Sequence, residues 1–313
     1  MPIAPENWPD LLEPTLREIF TTEALGRPAA AMQRLYGIRP SSKYQEHYLN
    51  TGAMGRVPKY EGSVEFDRAD SGYRTDISNI ELAKGFVVER RLVDDEMYGI
   101  ISEFARSLGD SFAITREIDA ADVFVQAFTD NGTYRLGDSA NGADGVALCS
   151  TAHPVSPIRQ GTTQSNEDTL ALTLDNVDTV RQRMRSFTDD RGELVGGAFD
   201  TILVPVELER AARQIFDPRA QWEPGSAEFT LNVMASGVMQ TTTLIVWDYL
   251  TDANAWFAVN SRLAARQLVW QNRVPVEFAR EGEFNTLQSK YRGYTRYGRG
   301  HTGWQFIYGN NPA

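Results

Sequence analysis

Apolar residues change their spacing repeatedly along this chain, and each change predicts a different element. Leu11 to Phe20 and Ala29 to Tyr36 carry apolar residues at helical spacing. Pro and Gly interrupt them, and the rest of segment 1–47 has little to bury, so it reads as an N-terminal arm lying over something else. From Tyr48 to Lys84 the glycines Gly52, Gly55, Gly62 and Gly72 punctuate a short alternation (Val64, Phe66). The polar residues there are dense: Lys59, Glu61, Glu65, Asp67, Arg68, Asp70, Arg74 and Asp76. The spacing predicts a two-stranded excursion over 48–84; the same composition also reads as a surface loop. A lone two-stranded ribbon is marginal in water. Residues 48–84 are therefore expected to be ordered by a neighbouring molecule, and their removal is expected to leave the rest folded.

A short strand, Gly85 to Val88, precedes the clearest element. Apolar residues recur at Met97, Ile101, Phe104, Leu108, Phe112, Ile118, Ala121, Val125 and Phe128. This predicts a helix over 94–128, about 50 Å long, with Asp94 and Asp95 capping its start and Gly109 as a bend point. No heptad register is sustained, which argues against a coiled coil. Residues 130–166 are rich in Gly, Ser, Thr, Asn and Pro and read as loop. Beyond them strands and helices alternate: a helix at Val177 to Phe187, a buried strand at Thr201 to Val206, and a helix at Glu207 to Phe216. Thr242 to Trp247 and Ala255 to Val259 read as a hairpin around LTDANA, and Leu268 to Phe278 and Tyr291 to Tyr308 as strands. The expected fold class is mixed, α+β.

Composition narrows the function classes. The 313 residues allow two compact units. No stretch reaches the ~18 unbroken apolar residues of a membrane helix, and the start MPIAPENWPDLLEP lacks a basic-then-apolar leader. Cys149 is the single cysteine, which excludes an intrachain disulfide and points to a reducing cytoplasm. The net charge of -11 argues against a protein that reads nucleic acid by neutralising phosphates. Only four of the 31 basic residues are lysines (Lys43, Lys59, Lys84, Lys290), the rest arginines. Arginine suits planar pairing with carboxylates at interfaces, so the chain reads as one that pairs with copies of itself.

Candidate chemistry is sparse. Cys149 and His153 in LCSTAHP could form a thiolate and its base, but no hydrolase signature surrounds them, and a packed Cys with a His before Pro154 explains the pair better. Asp94, Asp95 and Glu96 suit a helix start better than a metal, and no CxxC, HExxH or calcium loop occurs. Gly298, Gly300 and Gly303 spell G-x-G-x-x-G too near the C-terminus for a dinucleotide unit, so YRGYTRYGRGHTG reads as strand and turn. Its Arg and Tyr residues could in principle stack on nucleic acid. No cofactor, metal or catalytic site is expected.

The order of elements (arm, ribbon, very long helix, loop, mixed α/β unit) resembles the Hong Kong 97-type major capsid protein of tailed phages. LCSTAHPVSPIRQGTTQSN, FDTILVPVELERAARQIF and VWDYLTDANAWFAV are similar to segments of its head proteins, especially the group like the major head subunit of phage Mu. The resemblance runs from about Trp8 to Tyr308. It implies a shell of hexamers and pentamers in a virion, assembled in the host bacterial cytoplasm and enclosing double-stranded DNA without reading its sequence. It also implies an N-terminal arm (1–47), an extended loop (48–84) lying over a neighbour, a peripheral domain (85–166) with its spine helix at 94–128, an axial domain (167–290) at the capsomer centre, and C-terminal strands (291–313) returning to the core. Inter-subunit contacts are expected at Lys59, Glu61, Asp67, Arg68 and Arg74. Some members crosslink a loop lysine to a neighbour's asparagine; Lys59 has no identified acceptor, so crosslinking is not carried over. No charged helical extension precedes Trp8, so a separate scaffolding protein is expected, with a portal and a decoration protein as further partners. The competing readings are a nanocompartment shell of the same fold and a hydrolase using Cys149 and His153.

Overall fold

The computed structural model describes residues 8–26, 30–60, 62–64, 66, 71–95, 97–157, 163–195, 197–216, 242–283 and 287–312. One helix organises them. α4 (Tyr98–Val125) has 28 residues, about 42 Å of continuous helix, with Gly109 inside it. Its first half buries Ile101, Ala105, Leu108 and Phe112 in one core, and its second half buries Ala120, Ala121, Val123 and Phe124 in another. The expected start at Asp94 is corrected. Asp94 ends a separate short helix, α3 (Arg90–Asp94), where it pairs with Arg90 at 3.3 Å, and Asp95 is that helix's C-cap. Met97 caps α4 without a side-chain bond, and Glu96 lies outside the described residues.

The arm is attached to its own chain. α1 (Trp8–Gly26) buries Leu16, Phe20 and Ala24 against α4, and Phe20 meets Phe112 edge-on at 5.6 Å. The two helices approach closely at Gly109, where an added Cβ would stand 2.7 Å from the Phe20 carbonyl oxygen. The glycine therefore serves close packing within an uninterrupted helix. After α2 (Ala30–Leu35), strand β1 (Gly37–Pro40) joins the edge of the main sheet.

Two sheets carry the rest. The first runs β1–β11–β12–β4, with β12 (Gln288–His301) antiparallel to both its neighbours, β11 (Leu268–Glu283) and β4 (Ile80–Glu89). The second runs β7–β13–β10–β8–β9, with β7 (Glu167–Asp168), β8 (Thr201–Val204), β9 (Thr243–Val246), β10 (Trp256–Val259) and β13 (Ile307–Asn310). β8, β10 and β13 are buried at every position. Both sheet faces are covered, by α4 on one side and by α5 (Leu174–Arg185) and α6 (Glu209–Phe216) on the other. This explains the unbroken apolar run TILV. The expected hairpin of Thr242–Trp247 with Ala255–Val259 does not form. β9 runs parallel to β8 on one edge, while β10 runs antiparallel on the other. A strand buried on both faces needs a partner at each edge, so β8 separates the two segments.

Candidate assembly surface

β2 (Gln45–Thr51) and β3 (Ser71–Ser78) form a separate antiparallel ribbon. Its root is fixed by Asn79, buried at the junction with β4, whose amide donates to Ser41 Oγ and the Lys43 carbonyl, both at 2.8 Å. Gly298 of β12 lets the ribbon pass close, since a Cβ there would stand 2.6 Å from the Ser78 carbonyl. The G-x-G-x-x-G stretch thus serves strand packing, with Tyr297 and Arg299 buried beside its glycines. The root also narrows the excursion. Residues 80–84 pair with β12 in the core sheet, so removing 48–84 would cut into a core strand, and a deletion expected to spare the fold is one confined to the segment between β2 and β3.

That segment carries large apolar side chains in water. Val57 is 95% exposed and Phe66 89%, and Met54, Tyr60 and Val64 are also exposed. Scattered exposed apolar residues are ordinary, whereas here five stand within 13 residues. Lys59 is exposed among them. Arg74 sits on β3, paired with Asp76 at 2.8 Å and beside His47. Glu61, Asp67 and Arg68 lie outside the described residues. The polar residues drew attention in the sequence; the apolar ones between them were the stronger signal, legible from Val57, Tyr60, Val64 and Phe66 standing in a polar stretch.

The cysteine and histidine do not form a reactive pair. Cys149 is buried beside Phe128 and Gly309, and burial pushes its thiol well above the usual range, the opposite of an activated nucleophile. His153, in the short strand β5 (His153–Pro154), faces Asp144 Oδ2 at 2.7 Å and Asn166 Oδ1 at 3.0 Å, and stacks on Trp304 at 4.5 Å. The Asn166 oxygen also accepts the Ser150 N–H, while its nitrogen donates to the Leu148 and Ile307 carbonyls. His153 is thereby committed to pinning the 142–157 loop. Native Cys149 is expected to resist alkylation by a maleimide and to react fully in denaturant; rapid native labelling would restore the hydrolase reading.

His301 lies near the same Asp144. Burial lowers its pKa to about 4, opposed by Asp144 and reinforced by His153. The unfolded chain has a histidine near 6.5, so between about 6.5 and 4 it binds the extra proton and the folded chain does not. The contribution is complete above pH ~6.5 and is lost as pH falls toward 4, on the order of 3 kcal/mol. The urea midpoint is expected to fall across that window in the wild type and to fall less in His301→Gln; identical slopes would contradict this.

Among the described residues, no cluster of three His, Cys, Asp or Glu side chains could hold a metal ion, and no helix is long and apolar enough to cross a membrane. What the molecule presents is a ribbon with an apolar tip, a spine helix through two cores, and a doubly covered sheet. This is the architecture of a Hong Kong 97-type phage capsid subunit. The solved structures that share it include the procapsid of bacteriophage JBD30 (14% identity, TM-score 0.53, 97% of this chain and 75% of that one). A virus-like particle from Pyrococcus furiosus also matches (11%, 0.53, 95% and 98%), as does the capsid of the native GTA particle (14%, 0.54, 90% and 89%). No curated protein matches. The family model described as phage capsid protein matches residues 77–310, and the chain belongs to that family. It is a structural subunit of a phage head shell. The match is to the family at large.

Proposed function

We propose that this subunit builds hexamers and pentamers of an icosahedral head, that it catalyses no reaction, and that the ribbon tip is the element a neighbouring copy covers. The observation that carries this reading is the exposed set Met54, Val57, Tyr60, Val64 and Phe66. At ~25 cal/mol per Å² of apolar surface removed from water, covering each such side chain stabilises a contact by roughly 1.5–3 kcal/mol. Every subunit of a ring gives one ribbon and receives one, so the gain multiplies around a closed capsomer. Lys59, Glu61, Asp67, Arg68 and Arg74 set the register of that contact more than its strength, since exposed ion pairs contribute ~0–1 kcal/mol each. The acidic net charge suits a wall that encloses DNA without gripping it. A scaffolding protein, a portal and a decoration protein complete the partner set, with assembly in the bacterial cytoplasm. Electron microscopy of the purified protein, with and without its scaffold, is expected to show capsomers, tubes or shells. A monodisperse monomer under every condition would sink the proposal.

A further inference from the structure

Beyond the end of β2 the ribbon bonds to its own chain through Ala53 and Arg56. The Ala53 N–H donates to Asp190 Oδ1 at 2.9 Å. The Arg56 guanidinium meets the Glu193 carboxylate twice, Nε to Oε1 at 2.7 Å and Nη2 to Oε2 at 2.8 Å. Both acceptors belong to one small loop that is shaped without help from the ribbon. Thr188 and Leu194 close it as a β-bridge. Asp189 Oδ1 accepts the N–H groups of Arg191 and Glu193, both at 2.9 Å, and Gly192 supplies the positive φ of +82° that the turn needs. Gln164 holds the base of the loop through three bonds to Thr188, at 2.8, 3.0 and 3.0 Å. The loop is therefore a preformed mount carrying two carboxylates, and past Arg56 the next residue, Val57, is almost fully exposed.

We propose that residues 188–194 act as a clasp, with Asp190 and Glu193 as positioning residues that set the direction in which the ribbon leaves the subunit and hence the geometry of the capsomer. This rests on the reading of the ribbon as the assembly element. The Arg56 side chain is 83% exposed, so the ion pair alone would hold little. The bidentate geometry and the charged bond to the Ala53 N–H act together, because the second closes once the first has fixed the chain. Past Arg56 the next described residues, Val57, Pro58, Lys59 and Tyr60, are all exposed. A clasp of this kind leaves the tip available to a neighbour while denying the ribbon root other orientations.

The test compares wild type, Glu193→Arg, Asp190→Ala, and the charge-swapped pair Arg56→Glu with Glu193→Arg, all as full chains. In the unassembled subunit, amide hydrogen exchange over residues 50–57 is expected to quicken about tenfold in the two single variants, with unchanged thermal unfolding. The charge swap is expected to restore most of the protection lost in Glu193→Arg. In assembly reactions the single variants are expected to give a broader spread of particle diameters, and the swap to narrow it again. Unchanged exchange in both single variants would overturn the clasp. Quickened exchange with wild-type particle diameters would overturn its positioning role. The exchange readout needs no particles, so a wild type that never assembles would remove the proposed function and still report on the clasp.

Discussion

A subunit carrying Val57→Ser, Tyr60→Ser and Phe66→Ser is expected to fold like the wild type and to form no shells. The three side chains stand in water, so their loss removes no packing from any of the three cores, and surface changes of this kind usually shift stability by less than ~0.5 kcal/mol. Their cost falls on association alone. At roughly 1.5–3 kcal/mol per covered side chain, each ribbon contact loses about 5–9 kcal/mol. With tenfold in affinity for each ~1.4 kcal/mol, the concentration needed for assembly rises by more than a thousandfold. Thermal unfolding and sedimentation on the same sample separate the two effects. A variant that unfolds early would mean the tip packs on its own chain, and one that assembles at the wild-type concentration would mean the tip is not the contact.

The second large effect lies deep inside. Asp119 of α4, with no exposed surface, accepts the Tyr297 hydroxyl at 2.5 Å and the Arg135 Nε–H at 2.8 Å. Asp122, one turn on, accepts the Arg135 N–H at 2.6 Å and Arg299 Nη2 at 3.2 Å. Arg299 is itself buried, with its guanidinium 4.9 Å from the centre of the Tyr134 ring and 3.9 Å from Asp119. Two carboxylates and two guanidiniums thus balance where α4, β12 and the 130–140 loop meet. Asp119→Ala would remove one of the carboxylates facing Arg299 and leave the Tyr297 hydroxyl without its acceptor. Breaking such a buried network by removing one partner costs about 3–5 kcal/mol. The melting temperature of the unassembled subunit is expected to fall by about 5–8 °C. Asp119→Asn, which keeps an acceptor, is expected to fall less. A change within 1–2 °C for the alanine variant would show that the cluster contributes little to folding.

What could be read from the sequence was what depends on neighbours along the chain. The stripe from Ile101 to Val125 gave the spine, because residues three or four places apart fall on one inward face of the helix, which passes from one core into another. The run Thr201–Val204 gave a buried strand for the same reason. Errors appeared where local signals had two solutions. Asp94 and Asp95 look like caps for the helix that follows, yet they close the one before, where Arg90 is available four residues back. LTDANA has the residues of a hairpin turn, but the strands it joins take opposite edges of β8. The arm seemed to lack a core because its counterpart, Ile101 to Phe112, lies about 90 residues further on. Asp119 with Arg299, and Arg56 with Glu193, are pairings across 180 and 137 residues that no spacing rule reaches. The apolar tip was visible as letters; that Val57, Tyr60 and Phe66 stand exposed required the fold.

The most direct measurement is a reconstruction of the assembled particle at a resolution that traces residues 52–70. The account expects the ribbon to leave its own subunit at Arg56 and to lay Val57, Tyr60 and Phe66 against an adjacent copy, with their side chains removed from water. A shell in which those residues stay exposed to solvent, or fold back onto their own subunit, would contradict it.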